Sequence, residues 1–212
     1  MKHVLLIGDS IRMGYDQYVK LSLEGSAEVW YPEENCRFTQ YVLRYLHEWV
    51  EKSGGEVDCL HWNAGLWDCL NLFEDGPATP LGTYRMYIDR ICRRIRTVIP
   101  NAKVIFATST PVDEAAYLQP ERAMRYNAEI EAYNAAAVEI VRNYGFAVND
   151  LYGLLKNAPP SWHSDKTHFY TQAATEAITE QVVRSIQAQI DVRAKKLNYD
   201  ALFAAPETIS GF

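Results

Sequence analysis

No stretch of apolar residues in these 212 amino acids approaches the roughly 20 needed to cross a bilayer as a helix. The first ten residues hold only four consecutive apolar side chains, Val4 to Ile7, before a turn, too few for a signal peptide. A cytoplasmic protein without a membrane partner is therefore expected. Cysteine is scarce: Cys36, Cys59, Cys69 and Cys92 form no CxxC pair, so free thiols are expected, with no structural zinc and no metal cofactor. An excess of basic charge is missing too. With 21 Lys and Arg against 27 Asp and Glu the net charge is −6, which argues against nucleic acid as a partner. The one basic cluster, Arg90, Arg93, Arg94 and Arg96, reads as a solvated helix face. No internal repeat or low-complexity segment is present. What remains is an ordinary globular composition, 48% apolar and 23% charged. It fits one domain over residues 1–212, with 195–212 as a tail that packs through Tyr199, Leu202 and Phe203.

Short apolar runs alternate with helical periodicity along the chain. Strands are expected at His3 to Ile7, Ala27 to Tyr31, Val57 to Trp62, Val104 to Ala107 and Phe146 to Val148. Between them lie helical patterns over Ile11 to Leu23, Phe38 to Val50, Tyr84 to Val98 and Ala123 to Tyr144, and a last helix follows over Thr171 to Ile190. Residues 68–82 and 112–120 read as loops. Such alternation predicts an α/β protein, a three-layer α/β/α sandwich around a five-stranded, mostly parallel sheet. Ligands of these folds bind outside the carboxyl ends of the strands, so the loops following the strands are expected to share one edge.

Gly8-Asp9-Ser10 stands between the first strand and the first helix. A serine there presents its hydroxyl at the sheet edge, with its N–H near a helix N-terminus that favours negative charge. The same position suits a serine that merely caps the helix. A first strand followed by Gly8-Asp9-Ser10-Ile11-Arg12-Met13-Gly14 lacks the GxGxxG turn of dinucleotide-binding folds. Near the other end lies Ser164-Asp165-Lys166-Thr167-His168. A serine hydroxyl needs a base, histidine titrates in the useful range, and an Asp three residues earlier can orient the ring. His163 is a rival base without that Asp, His3 and His61 lie on expected strands, and His47 lies on a helix.

Together the two motifs resemble the first and last blocks of the SGNH, or GDSL-like, hydrolase superfamily, and the resemblance spans nearly the whole chain. It implies the flavodoxin-like fold of that superfamily, with Ser10 as nucleophile, His168 as base and Asp165 as the residue orienting it. The middle blocks depart from the pattern. In Asn63-Ala64-Gly65-Leu66-Trp67-Asp68, Gly65 and Asp68 match the third block, but Trp67 stands where an oxyanion-binding Asn belongs. Asn63 is the better candidate for that role. The second block, Pro32 to Thr39, has no glycine; a backbone N–H of Cys36 or Arg37 is the candidate donor there, alongside the N–H of Ser10. Asp9, Arg12, Trp67 and Trp162 are candidate substrate contacts, with Tyr170 a weaker one.

The expected activity is cofactor-independent hydrolysis of a small acyl ester, acetyl on a carbohydrate for instance, through an acyl-enzyme on Ser10. An acyltransferase with the same triad and a catalytically silent binding module of the same fold stay open. The motifs carry no information on oligomeric state.

Overall fold

The computed structural model describes residues 1–73, 75–117 and 123–204. The end of the predicted tail, 205–212, and the last part of the predicted loop at 118–120 lie outside the described residues. In chain order the elements are β1 (Lys2–Ile7), α1 (Ser10–Met13), α2 (Asp16–Leu23), β2 (Ala27–Trp30), α3 (Thr39–Lys52), β3 (Cys59–Trp62), β4 (Asn71–Leu72) and α4 (Leu81–Val98). These are followed by β5 (Lys103–Ala107), β6 (Ala123–Met124), α5 (Asn127–Asn143), β7 (Ala147–Asn149), α6 (Leu151–Leu155), α7 (Gln172–Gln187) and α8 (Tyr199–Ala204).

Five strands form one sheet in the order β2-β1-β3-β5-β7, and every pairing is parallel. The predicted α/β architecture is therefore the observed one. The central strands are apolar on both faces because helices cover both. Val4 to Ile7, Cys59 to Trp62 and Val104 to Ala107 are all buried, as unbroken strand hydrophobicity requires in a parallel sheet. Helices α3, α4 and α5 pack against one another in sequence, while α2 packs on α7. The apolar stripe of α3 (Val42, Leu43, Leu46, Trp49, Val50) and that of α4 (Tyr84, Ile88, Ile91, Cys92, Ile95) are buried, at the spacing of one helix face. The four cysteines are free and buried. Of the arginine cluster, Arg93 pairs with Asp89, Arg94 donates to the carbonyl of Leu43, and Arg96 donates to that of Tyr144.

Three local differences from the predicted elements bear on the site. The first helix is two, α1 and α2, broken at Gly14-Tyr15. A Cβ at Gly14 would lie 2.5 Å from the Tyr170 ring, so the break admits an aromatic side chain from the far end of the chain. The predicted loop at 68–82 and the start of the helix predicted from Ala123 contribute β4 and β6, an antiparallel pair joining Asn71 to Met124 and Leu72 to Ala123. Strands of two residues carry no periodicity for a sequence pattern to reveal. Finally, the loop holding Asp165 and His168 does not follow a strand directly. Helix α6, capped by Asp150 accepting from the Gly153 N–H, intervenes and buries Leu151, Tyr152 and Leu155. Among the described residues no helix is long and apolar enough to cross a membrane.

Candidate active site

The turn leaving β1 is fixed by burial. Asp9 is fully buried and caps α1, its Oδ1 accepting from the Ile11 N–H at 3.0 Å. The capping role that Ser10 could have taken thus belongs to Asp9. Ser10 becomes the first helical residue, and an N–H at that position has no intrahelical acceptor. Its hydroxyl instead meets His168, with Oγ 2.8 Å from Nε2. Gly8 is required by close approach: a Cβ there would fall 1.9 Å from Asn63 Oδ1 and 2.7 Å from the Cβ of Arg12. The Asn63 side chain, at the carboxyl end of β3, therefore packs directly beneath the Gly8–Ser10 turn. Burial raises the Asp9 carboxyl above its usual range, opposed by the neighbouring Asn63 amide, the Ile11 N–H, and the charges of Arg125 and His168.

On the other side of Ser10, one turn of chain holds the carboxylate and the imidazole. His168 Nδ1 lies 2.7 Å from Asp165 Oδ2. Asp165 Oδ1 accepts from the N–H groups of Thr167 at 2.7 Å and His168 at 2.8 Å. Ser164 closes the turn by donating its N–H and its hydroxyl to the His168 carbonyl. For Asp165 partial burial is the largest influence and raises its pKa. The His168 hydrogen bond and the two backbone N–H groups outweigh it, so the carboxyl sits below its ordinary value and remains a carboxylate. An ionised Asp165 accepts the Nδ1 proton, which leaves Nε2 as the acceptor facing Ser10.

Two further contacts hold this arrangement. The Tyr170 hydroxyl donates to the Ser10 carbonyl at 2.6 Å, and its ring stacks on His168 with centroids 4.8 Å apart. Burial raises the phenol pKa, so it stays a donor. Tyr170, a weaker candidate for substrate contact in sequence, thus touches both Ser10 and His168. The segment after β5 is strapped to the Asp165–His168 loop by the Asp113 N–H on the Lys166 carbonyl at 2.9 Å and by Tyr117 beside Thr167.

The remaining sequence candidates divide. Arg12 is 1% exposed, paired with Asp16 and donating to the Glu34 carbonyl, so its guanidinium is held inside the protein. Asp9, fully buried as the helix cap, likewise turns into the protein. The backbone donors proposed for the second block are occupied. The Cys36 N–H donates to the Gly8 carbonyl at 3.1 Å, and the Arg37 N–H donates to Asn35 Oδ1 at 2.8 Å. Neither Cys36 nor Arg37 offers a free N–H to an oxyanion in this geometry. Arg37 nevertheless takes φ +52°, the left-handed conformation a glycine adopts readily. Its guanidinium lies over the Tyr41 ring. Trp67 and Trp162 are half-buried, and Trp162 packs against the hydrophobic core.

Asp68 lies in the core and accepts from the Thr39 N–H at 3.1 Å and the Thr39 hydroxyl at 2.6 Å, anchoring the start of α3. The His163 ring packs at a tilt against Phe169, at a centroid distance of 4.0 Å. His61 is buried against Asn149, and burial pushes its pKa down to about 3, so it stays neutral. Among the described residues no three His, Cys, Asp or Glu side chains converge as a metal site would need. A cation the sequence did not single out completes the rim: Arg125, just after β6, donates Nε–H to the Leu66 carbonyl at 2.5 Å. Its loop is too long and irregular for spacing to place it.

No protein-family model matches the chain, and no curated protein matches its sequence. Solved structures do. The chain is similar to a lipase/acylhydrolase from Enterococcus faecalis at 22% identity, covering 93% of this chain and 100% of that one, with a TM-score of 0.70. It is also similar to an acetyl xylan esterase (15% identity, 87% and 99% covered, TM-score 0.67) and to a GDSL-like lipase from Bacteroides thetaiotaomicron VPI-5482 (16% identity, 89% and 89% covered, TM-score 0.67). At these identities the likeness is one of fold. The resemblance first drawn from Gly8-Asp9-Ser10 and the Asp165–His168 pair thus extends to the architecture of the whole chain.

Proposed function

We propose that the chain is a serine hydrolase of carboxylic esters, with Ser10 as nucleophile, His168 as general base and Asp165 as its orienting carboxylate. The observation that carries this reading is the unbroken relay from Asp165 to His168 at 2.7 Å and from His168 to Ser10 at 2.8 Å. His168 and Ser10 are separated by 158 residues of sequence. A surface loop with a charged pair would have no reason to meet a buried strand turn in this way.

In the proposed reaction the Ser10 hydroxyl attacks the ester carbonyl while His168 Nε2 takes its proton. Asp165 stabilises the imidazolium that forms. The tetrahedral oxyanion is held by the Ser10 N–H at the start of α1 and by the Asn63 amide beneath the same turn. His168 then protonates the departing alcohol, and a water activated by the same ring releases the acid from Ser10. Two of the similar structures are an acetyl xylan esterase and a lipase/acylhydrolase, which supports a carboxylic ester as substrate.

The test is hydrolysis of 4-nitrophenyl acetate by the wild type and by Ser10→Ala, with a fluorophosphonate label located by mass spectrometry. Label on Ser10, with turnover lost in the folded variant, is the expected result. Turnover near wild type in Ser10→Ala removes Ser10 from the chemistry. Folded wild-type protein that neither labels nor turns over would favour the silent binding module.

A further inference from the structure

Among the described residues, four cations border the carboxyl edge around Ser10, and they are not equivalent. Arg12 is buried in its ion pair with Asp16. Arg37 is exposed and lies over Tyr41. Lys166 lies over the Tyr117 ring at 4.6 Å. Arg125 differs from all three. It is half-buried, its Nε–H is tied to the Leu66 carbonyl, and among the described residues no carboxylate pairs with it. The acidic side chain one turn away, Glu129, is engaged by the Asn71 amide at 2.6 Å.

A guanidinium removed from water without a counter-ion is costly unless an anion completes it. Here its orientation is fixed by the Leu66 bond, which leaves the fork of its two terminal nitrogens for a ligand. That planar pair of donors matches a carboxylate in two parallel hydrogen bonds. The Leu66 carbonyl belongs to the loop that begins at Asn63, and Asn63 packs under the Ser10 turn. The Arg125 charge also acts on the buried Asp9 carboxyl, ahead of the charge of His168. The cation and the nucleophile therefore border the same stretch of the sheet edge.

We propose that Arg125 binds a carboxylate on the ester itself, so that the substrate is an anionic ester, such as the monoester of a dicarboxylic acid or an acylated hydroxy acid. This inference rests on the hydrolase reading for its reaction, but the binding of the anion is separable from it. A merely structural role for Arg125, bracing the Leu66 loop, would slow charged and neutral esters alike. An anion-binding role changes their ratio.

The experiment uses the full chain as wild type, Arg125→Gln and Arg125→Lys. Methyl hydrogen succinate is compared with methyl butanoate for charge on the acyl side, and 4-acetoxybenzoate with phenyl acetate for charge on the alcohol side. In one of the two pairs the wild-type preference for the charged ester, as a ratio of kcat/KM, is expected to fall at least about tenfold in Arg125→Gln. Arg125→Lys should keep part of it, and the pair affected locates the carboxylate. Ratios unchanged in both pairs overturn the proposal. Should the wild type turn over no ester, the hydrolase reading fails by itself, and calorimetric binding of succinate and 4-hydroxybenzoate still decides the Arg125 claim. A Kd for either that is at least about tenfold tighter in wild type than in Arg125→Gln upholds it; equal affinities, or no binding of either to wild type, overturn it.

Discussion

A serine hydroxyl 2.8 Å from an imidazole nitrogen gains nothing as a nucleophile unless the charge formed after attack has donors waiting for it. The Ser10 N–H is positioned by the start of α1, but the second donor separates this chain from the usual pattern. With the N–H groups of Cys36 and Arg37 engaged by Gly8 and Asn35, the proposed mechanism places that burden on Asn63, whose amide also neighbours the Asp9 carboxyl. Asn63→Ala is accordingly expected to lower kcat by about 10² to 10³ with little change in KM, since an oxyanion donor acts mainly in the transition state. Steady-state kinetics on a soluble ester decide this. A parallel loss in KM would mark Asn63 as a ground-state contact. At this scale the meeting of Ser10, His168 and Asp165 was legible in sequence, because strand-turn-helix placement of a serine and the three-residue Asp–His spacing are both local signals. Sequence gives the adjacency of Arg12 and Asp9 to Ser10 but not their burial. Both side chains turn into the protein, one to pair with Asp16 and the other to cap α1. Tyr170 and Arg125 depend on contacts made across the fold, and no spacing announces such contacts.

Elements carry their own consequences. Helix α3 begins at Thr39 with no capping side chain of its own. Its first N–H is received by Asp68, from the loop after β3. Burial raises the Asp68 carboxyl from an ordinary 3.8 to about 6, although the Thr39 hydroxyl and N–H and the Thr79 side chain oppose the shift. A carboxyl whose folded pKa is raised binds more protons in the folded than in the unfolded chain between those values. Its contribution is therefore fully present below about pH 4 and is lost as pH rises through about 6. Asp68→Asn keeps an acceptor for Thr39 but cannot ionise. Relative to wild type the variant should gain stability between pH 4 and pH 8, by up to about 3 kcal/mol. Denaturant melts at the two pH values measure this, and a difference independent of pH would place the Asp68 titration elsewhere. The sequence pattern located every strand of the main sheet and every long helix to within a few residues, since each is a stretch of strong periodicity or unbroken apolarity. It missed the split between α1 and α2, which is set by the Tyr170 ring seated on Gly14, and the β4–β6 pair, whose two-residue strands exist only through their partner.

At the scale of the whole molecule, the candidate site is assembled from distant stretches of chain: the turn after β1, the loop after β3, the segment after β5 that holds Asp113 and Tyr117, Arg125 just after β6, and the loop between α6 and α7. Such an assembly holds its distances only if the layers behind it unfold together. The tail offers the clearest test of that unity. Lys195 N–H donates to the Ser22 carbonyl at 2.8 Å, and the rings of Tyr199 and Phe203 both rest on Tyr18 of α2, each with centroids 5.8 Å apart. Gln172, at the start of α7, donates to Asp200 at 2.7 Å. The tail thus bridges α2, which follows the Ser10 turn, and α7, which follows His168. Burying an aromatic ring is worth roughly 1.5 to 3 kcal/mol, and a domain of this size loses roughly 2 to 4 °C of Tm per kcal/mol. Removing residues 195–212 should therefore lower Tm by roughly 5 to 15 °C, while the full chain melts in one cooperative transition. Calorimetry of the two proteins tests both statements. An unchanged Tm would mean that the tail only rests on the surface. A second transition in the full chain would mean that part of the molecule folds apart from the sheet that carries Ser10 and His168.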